Sequence, residues 1–326
     1  MEGLPKELDA LAGKTSFSGV VRVDSGGRTE VAKAYGLAHR AHGIPNEVDT
    51  RFALASGAKG LTALTVVRLI EDGLLELATP ARSLLGRDLP LVDDRVTVEH
   101  LLAHRSGLGD YLDEESDLDI DDYLMPVPVQ ELATTEQYLA VLDGHPQKFP
   151  PGERFAYCNS GYVVLALLAE RAAGVSFHEL VVQRVCEPAG MSDTEFLRSD
   201  ELPDRTALGY VDNGRTNVFH LPVRGSGDGG VYSTVGDVHL LWQAFLEGRI
   251  VSPEWVSEML RPRSERYGLG FWLNPETGAV RLEGMDAGVS FRSERGPGAG
   301  VTYSVISNTS AGAWPIARFI DERLGL

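Results

Sequence analysis

The two ends of the chain carry segments of β-type character, and the long middle is mostly helical in pattern. The β-type segments, each four to ten residues rich in β-branched or aromatic side chains, are 17–24, 28–37, 279–283, 287–293 and 300–307. A Gly-Gly pair between the first two predicts a β-hairpin. Segments that are far apart in sequence must pair to bury their apolar faces, so we predict one antiparallel sheet built from both ends of the chain.

The predicted fold class is α+β, with terminal helices flanking that sheet and an α-rich lobe beside it. The spacing of apolar residues predicts helices over 56–72, 98–103, 160–172, 234–246 and 312–324. We expect residues 1–74 and 266–326 to form the sheet lobe and residues 75–265 the helical lobe. The active site is then expected between the two lobes.

Composition narrows the classes of function. The 326 residues include 30 Lys and Arg against 47 Asp and Glu, a net charge of −17, which disfavours nucleic acid as a partner. Two cysteines do not make a disulfide framework. The N-terminal residues lack a signal-peptide pattern, and no apolar run is long enough to span a bilayer. We therefore expect a cytoplasmic protein that acts on a small molecule, without a membrane partner.

The first candidate for chemistry is the pair Ser56 and Lys59 at the start of the predicted helix 56–72. A spacing of three places the hydroxyl and the amine on one helix face. A serine becomes a good nucleophile only when a base removes its proton, and a neutral lysine is such a base. The alternative is an N-capping Ser followed by a solvated Lys.

The second candidate is the pair Tyr157 and Asn159, which follows a Pro-Pro-Gly turn and precedes a predicted helix. A phenol beside a Ser and a Lys can pass a proton to a leaving group, and an Asn amide can orient a substrate carbonyl. The alternative is a loop Tyr and an N-capping Asn.

Taken together, these motifs resemble the serine β-lactamase and penicillin-binding-protein superfamily in its class C-like branch. Four ordered segments carry the resemblance: 55–77, 98–111, 149–167 and 229–246. The resemblance implies that Ser56 is the nucleophile, that Lys59 and Tyr157 form the proton relay, and that Asn159 orients the substrate. It leaves open whether Lys59 or Tyr157 is the base, and it implies no metal or organic cofactor.

The third motif of that superfamily, a Lys-Thr-Gly or His-x-Gly on a strand facing the serine, corresponds here to residues 284–288, which contain no Lys or His. Without that cation, a substrate carboxylate loses a partner, and Asp286 adds repulsion if it faces the cleft. We therefore expect a neutral or amine-bearing substrate. The oxyanion hole is expected from the backbone N–H groups of Ser56 and Gly288.

The leading hypothesis is a serine hydrolase that forms an acyl-enzyme with a small neutral or cationic ester or amide. The alternatives are a β-lactamase, a D-alanyl-D-alanine carboxypeptidase or D-aminopeptidase, a non-catalytic penicillin-binding-like sensor, and an acyltransferase. The missing cation argues against substrates that need a carboxylate contact. The presence of Ser56, Lys59 and Tyr157 argues against a sensor, which needs no base.

Four other features have structural explanations. The acidic segment 110–122 contains Asp117, Asp119 and Asp121 in the spacing of a calcium loop but lacks its Gly, so we expect a solvated loop over the cleft. The spacing HLLAH at 100–104 lacks the Glu of a zinc motif, so packing roles are expected. The Gly-rich segment 225–230 lacks a preceding apolar strand for nucleotide binding. Cys158 is expected to be a buried filler.

Overall fold

A six-stranded antiparallel sheet joins the two ends of the chain in the computed structural model, which describes residues 3–115, 119–297 and 300–326. Within these residues the strands are β1 (Gly19–Ser25), β2 (Arg28–Tyr35), β3 (Leu37–His39), β4 (Ile44–Pro45), β5 (Phe52–Ala53), β6 (Tyr232–Ser233), β7 (Trp272–Leu273), β8 (Val280–Asp286), β9 (Val289–Arg295) and β10 (Thr302–Ser307). The large sheet has the order β2-β1-β10-β9-β8-β7. The predicted α+β fold with a sheet from both ends is confirmed.

Eleven α-helices lie within the described residues. They are α1 (Leu4–Thr15), α2 (Ala58–Glu71), α3 (Ala81–Leu85), α4 (Val98–Leu102), α5 (Leu139–Leu142), α6 (Asn159–Ala173), α7 (Phe177–Val181), α8 (Glu187–Ala189), α9 (Val235–Leu246), α10 (Pro253–Met259) and α11 (Ala313–Leu324). A π-helical segment, Val182–Cys186, joins α7 to α8.

The hairpin of β1 and β2 turns as the Gly-Gly pair predicts. Ser25 pairs with Arg28, and the two residues between them, Gly26 and Gly27, have φ of 57° and 77°. Two consecutive positive φ values define a type I′ turn, whose twist matches that of the flanking strands. The central strand β10 is buried on both faces because helices cover the sheet on both sides.

One face of the sheet packs against the terminal helices, and the other packs against the helices that carry the site. Leu8 of α1 and Ile316 of α11 are buried with Val21 and Val305 on the first face. Leu282 and Phe291 face the opposite way, into a core shared with α2 and α6. Because this second core is continuous, the start of α2 is fixed at once by the sheet and by the helical region.

The helix α9 lies in the segment 75–265 that the sequence assigns to the helical lobe, yet it packs on the sheet. Its Trp242 Nε1 donates a hydrogen bond to Ser293 Oγ of β9 at 2.8 Å. The division of the chain into a sheet lobe (residues 1–74 and 266–326) and a helical lobe (residues 75–265) stays a prediction. No single helix among the described residues has both the length and the apolarity of a membrane span, and Asn159–Ala173 with Phe177–Ala189 meets those criteria only as a pair bent by 86°.

Candidate active site

Ser56 lies in a tight turn that leads directly into α2. The turn is the 3₁₀ segment Ala55–Gly57, and Ala55 has a φ of 46°, in the left-handed region that residues with a Cβ rarely adopt. No side-chain cap is present at the start of α2, so Ser56 is not the N-cap of the alternative hypothesis. Gly57 is required here, because a Cβ at that position would lie 2.5 Å from the ring of Phe291. The turn is strained and tightly packed, which fixes the position of Ser56 Oγ.

Lys59 is buried, and its ammonium position is held by three acceptors. Its side chain is 2% exposed, and Nζ lies 2.9 Å from Ser56 Oγ, 2.8 Å from Asn159 Oδ1 and 2.8 Å from the backbone oxygen of Asp228. A charged lysine would donate to all three. A neutral lysine would donate to Asn159 and Asp228 and direct its lone pair at Ser56 Oγ. The geometry thus fits both protonation states that a general base must visit.

Tyr157 lines the same cavity as Ser56, and its hydroxyl interacts with Ser56. Its ring lies between that of His104, at 4.3 Å between centroids, and that of Trp272, at 5.9 Å and nearly parallel. Burial raises the pKa of Tyr157 well above that of an exposed phenol, and the charge of Glu114 raises it further. The phenol is therefore a proton donor and relay group at neutral pH rather than a phenolate.

Asn159 is the first residue of α6, and both the oxygen and the nitrogen of its side-chain amide form hydrogen bonds. Oδ1 accepts from Lys59, while Nδ2 donates to Leu112 O at 2.9 Å and to Glu114 Oε1 at 3.2 Å. Asp110 fixes the start of this helix, because its carboxylate accepts from the backbone N–H groups of Asn159 at 2.6 Å and Ser160 at 2.9 Å. Asn159 lines the cavity as predicted and also positions Lys59.

The backbone beside Ser56 comes from β8 and not from Gly288. A Cβ at Gly284 would lie 2.5 Å from both Ser56 N and Leu54 O, so only glycine allows this close approach. Gly288 lies in the turn after β8, and its N–H donates to Ser310 Oγ at 2.8 Å. The interpretation of Gly288 as an oxyanion donor is therefore wrong. It failed because β8 runs to Asp286, three residues beyond the predicted strand end.

A cavity of about 460 Å³ opens above Ser56, and the charged side chains in its lining are mainly acidic. Its described lining includes five carboxylates and one guanidinium: Asp113, Glu114, Asp228, Glu283, Asp286 and Arg292. Asp286 faces the cleft as expected, and burial together with the neighbouring Asp228 raises its pKa to about 7. The cavity therefore disfavours an anionic ligand.

Arg292 is a cation on the cavity wall that the sequence did not point to. Its Nη2 lies 2.9 Å from Glu283 Oε2, and its Nη1 lies 3.1 Å from Asp321 Oδ2. Two carboxylates therefore neutralise it, and Glu283 stands immediately before the Gly284 that touches Ser56. To find this pair from the sequence, one would have needed the register of β8 against β9, which places Glu283 opposite Arg292.

The backbone of the Gly-rich segment 225–230 packs closely against α6 beside the site. A Cβ at Gly227 would lie 2.1 Å from Tyr162 O, and Gly227 O accepts from Thr62 Oγ1 at 2.6 Å. This packing brings Asp228 to the cavity wall, where Tyr111 donates to its carboxylate. Burial raises the pKa of Asp228. The sequence drew attention to these glycines but not to Asp228.

The remaining predicted features have the following places. His104 is fully buried; its Nδ1 accepts from Cys158 N at 3.1 Å, and burial lowers its pKa well below the ordinary value. Cys158 is buried, and burial raises the pKa of its thiol. The acidic segment lines the cavity through Tyr111 to Glu114 and Ile120. Asp117, the first position of the calcium-like spacing, lies outside the described residues.

Comparisons with known proteins agree with this geometry. The family model described as Beta-lactamase matches residues 5–315. The crystal structure of a penicillin binding protein from Bacillus halodurans has 35% identity and a TM-score of 0.91, covering 97% of this chain and 99% of that chain. The esterase EstB of Burkholderia gladioli is 32% identical over 62% of this chain and 52% of its own length.

A D-aminopeptidase of Brucella anthropi is 28% identical over 82% of this chain and 50% of its own length. The chain spans less than two thirds of the length of the curated relatives it matches. The match to the family model nevertheless covers nearly the whole chain. The chain belongs to the beta-lactamase family.

Proposed function

We propose that this protein is a serine hydrolase that cleaves an ester or amide bond of a small neutral or cationic substrate through an acyl-enzyme. The observation that carries the proposal is the contact of the buried Lys59 Nζ with Ser56 Oγ, 2.9 Å away, in a cavity that Tyr157 also lines. The names of two relatives, an esterase and a D-aminopeptidase, support ester and amide bonds as the class of target.

In the first step Ser56 Oγ attacks the substrate carbonyl and Lys59 takes its proton. Lys59 suits this role because two of its hydrogen-bond partners, Asn159 Oδ1 and Asp228 O, can only accept, so a neutral amine keeps its lone pair for Ser56. Tyr157 is disfavoured as the base because burial raises its pKa. The negative charge that develops on the carbonyl oxygen lies near the start of α2, where the helix dipole stabilises it.

In the second step the proton moves from Lys59 by way of the Tyr157 hydroxyl to the leaving group, and the bond between the acyl carbon and the leaving group breaks, which leaves the acyl group on Ser56 Oγ. Tyr157 is suited to this relay because it lines the cavity beside Ser56, its ring centroid lies 4.9 Å from Lys59 Nζ, and its ring is fixed by His104 and Trp272. Water then attacks the acyl-Ser56 ester, gives its proton back through the same groups, and releases the acid.

The charge of the cavity supports a neutral or cationic substrate over a carboxylated one. Strand β8 places Glu283 immediately before the Gly284 that touches Ser56, and the one guanidinium of the described lining, Arg292, is held between Glu283 and Asp321. A penicillin or a D-alanyl peptide brings a carboxylate into such a site, where it meets Asp286 and Glu114. Repulsion from these groups raises KM for such substrates.

The experiment compares turnover of a nitrophenyl ester with turnover of a chromogenic cephalosporin by the wild-type chain and by Ser56→Ala. We expect ester hydrolysis that Ser56→Ala abolishes, and no cephalosporin hydrolysis. A matched control is Ser83→Ala, which removes an exposed hydroxyl bonded only to Pro80 O. Cephalosporin turnover that depends on Ser56 would replace the proposal with a β-lactamase. Ester turnover that survives in Ser56→Ala would refute it.

A further inference from the structure

A small side pocket opens from the main cavity on the side away from Trp272. It has a volume of about 50 Å³, and its mouth is formed by Tyr111, Asp228, Gly229 and Asp286, which also line the main cavity. Deeper in, the lining is mixed. It includes the apolar side chains of Ala53, Leu197, Leu221, Pro222 and Val223 together with those of Tyr138, Ser199, Asn217 and Tyr232. The pocket thus has two carboxylates at its entrance and room for a methyl- or ethyl-sized group inside.

The proton relay sets the direction in which a substrate lies. Tyr157 hands its proton to the leaving group, and its ring is stacked on Trp272, so the leaving group lies toward Trp272. The acyl group must extend from Ser56 in the opposite direction. The mouth of the side pocket lies beside the nucleophile, since Asp228 O contacts Lys59 and Gly229 lies against Ala55, and Trp272 is not part of the lining of this pocket. We therefore place the acyl group of the substrate at the side pocket.

The charge of the buried Lys59 acts on both carboxylates at the mouth, but among the described residues neither carboxylate forms an ion pair. Glu283, on the other side of the cavity, is paired with Arg292. The Asp228 carboxylate accepts from Tyr111, and the Asp286 carboxylate accepts only from the next backbone N–H. Two neighbouring carboxylates with neutral donors repel each other, and a ligand cation removes that repulsion.

We infer that Asp286 and Asp228 form an amine subsite, and that the preferred substrates are aminoacyl esters or amides with a small side chain. The ammonium group lies next to the scissile carbonyl and bonds to the two carboxylates, while the side chain enters the side pocket. This inference rests on the proposed function, because it takes Ser56 as the nucleophile. It deepens that function by naming the acyl group that the site selects.

The test compares benzyl esters of both enantiomers of alanine with benzyl isobutyrate. The isobutyryl group has the shape of an alanyl group, with a methyl in place of the ammonium. We expect kcat/KM for one alanine enantiomer to exceed that for isobutyrate. In Asp286→Asn the ratio of the two values should fall about 10- to 100-fold, the usual loss for a hydrogen bond to a charged group.

The matched control is Asp113→Asn, which removes a carboxylate from the same cavity at a position whose carboxylate lies 2.7 Å from Lys148 Nζ. There the alanine-to-isobutyrate ratio should change less than about threefold, as expected for an ion pair near the surface. A second variant, Leu221→Ala, enlarges the side pocket and should raise the norvaline-to-alanine ratio about tenfold.

The outcomes separate the two proposals. An alanine-to-isobutyrate ratio near one, with turnover that Ser56→Ala abolishes, would overturn the amine subsite and leave the hydrolase intact. An equal fall of the ratio in Asp113→Asn and Asp286→Asn would also overturn it, because the effect would then be the general charge of the cavity. No Ser56-dependent turnover of any of these esters would overturn the proposed function itself.

Discussion

The proton relay through Tyr157 makes a prediction about leaving groups. Replacing Tyr157 by Phe removes one oxygen and keeps the ring that packs on His104 and Trp272. The fold should therefore persist, with a loss of stability of about 1 kcal/mol or less from the missing hydroxyl. What the variant lacks is the group that protonates the departing atom.

The size of the effect depends on how much the leaving group needs that proton. Positioned proton transfer contributes about 10²- to 10⁴-fold to a rate, which corresponds to about 2.7–5.4 kcal/mol of the barrier. An alkyl alcohol leaves as a strongly basic anion unless it is protonated, so an alkyl ester should lose this whole factor. A nitrophenol leaves readily as its anion, so a nitrophenyl ester should lose about tenfold or less.

The assay measures kcat/KM of the wild type and of Tyr157→Phe for acetate esters that differ only in the leaving group. Tyr162→Phe is the matched control. The Tyr162 side chain is a buried phenol whose ring centroid lies 5.7 Å from Lys59 Nζ, and its hydroxyl donates a hydrogen bond to Leu102 O. This variant should lower stability without changing the dependence on the leaving group. A loss in Tyr157→Phe that is the same for nitrophenyl and alkyl esters would refute the relay.

Three further predictions concern the backbone, a helix start and pH. Gly284→Ala should lower kcat/KM at least about 100-fold, because the new Cβ would lie 2.5 Å from Ser56 N and displace a turn whose position the chemistry needs. Asp110→Asn should cost about 2 kcal/mol of unfolding free energy, since an amide nitrogen would face one of two N–H donors. Burial lowers the pKa of His178 to about 4, so folding stability should fall by about 2 kcal/mol between pH 7 and pH 5.

Each of these predictions has its own check. Gly13→Ala is the control for Gly284→Ala, because a Cβ there meets nothing within 4 Å and should leave kcat/KM unchanged. Urea unfolding of Asp110→Asn measures the predicted loss of unfolding free energy, and a stability equal to that of the wild type would contradict this prediction. For the third, His178→Gln should reduce the loss of stability on acidification, because the stabilisation by a neutral His is present above pH 6.5 and is lost toward pH 4. An unchanged pH profile in His178→Gln would contradict the assignment.

The fold and the proximity of Ser56 to Lys59 were accessible from the sequence because local patterns encode them. Strand character at both ends of the chain required a shared sheet, and the positive φ values of Gly26 and Gly27 match the predicted hairpin turn. The spacing of Ser56 and Lys59 on one helix face led directly to a contact of 2.9 Å. Tyr157 joined them only through the resemblance, because no local pattern places residue 157 beside residue 56.

The parts of the site that were missed depend on strand register and loop packing. β8 continues three residues past its predicted end, and this moved Gly288 from the strand into a turn and put Gly284 beside Ser56. Asp228 and Arg292 reach the cavity through tertiary packing, which neither apolar periodicity nor motif spacing encodes. Asp110 was visible only as one acid in an acidic segment.

The measurement that tests the central claim most directly is intact-protein mass spectrometry after brief exposure to an activated ester. The account predicts a mass increase equal to one acyl group, located on the peptide that contains Ser56, and its absence in Ser56→Ala. Lys59→Met should slow the appearance of this adduct about 10²- to 10⁴-fold, because no base then takes the proton from Ser56. Ester turnover without an adduct on Ser56, or an adduct that Ser56→Ala retains, would contradict the account.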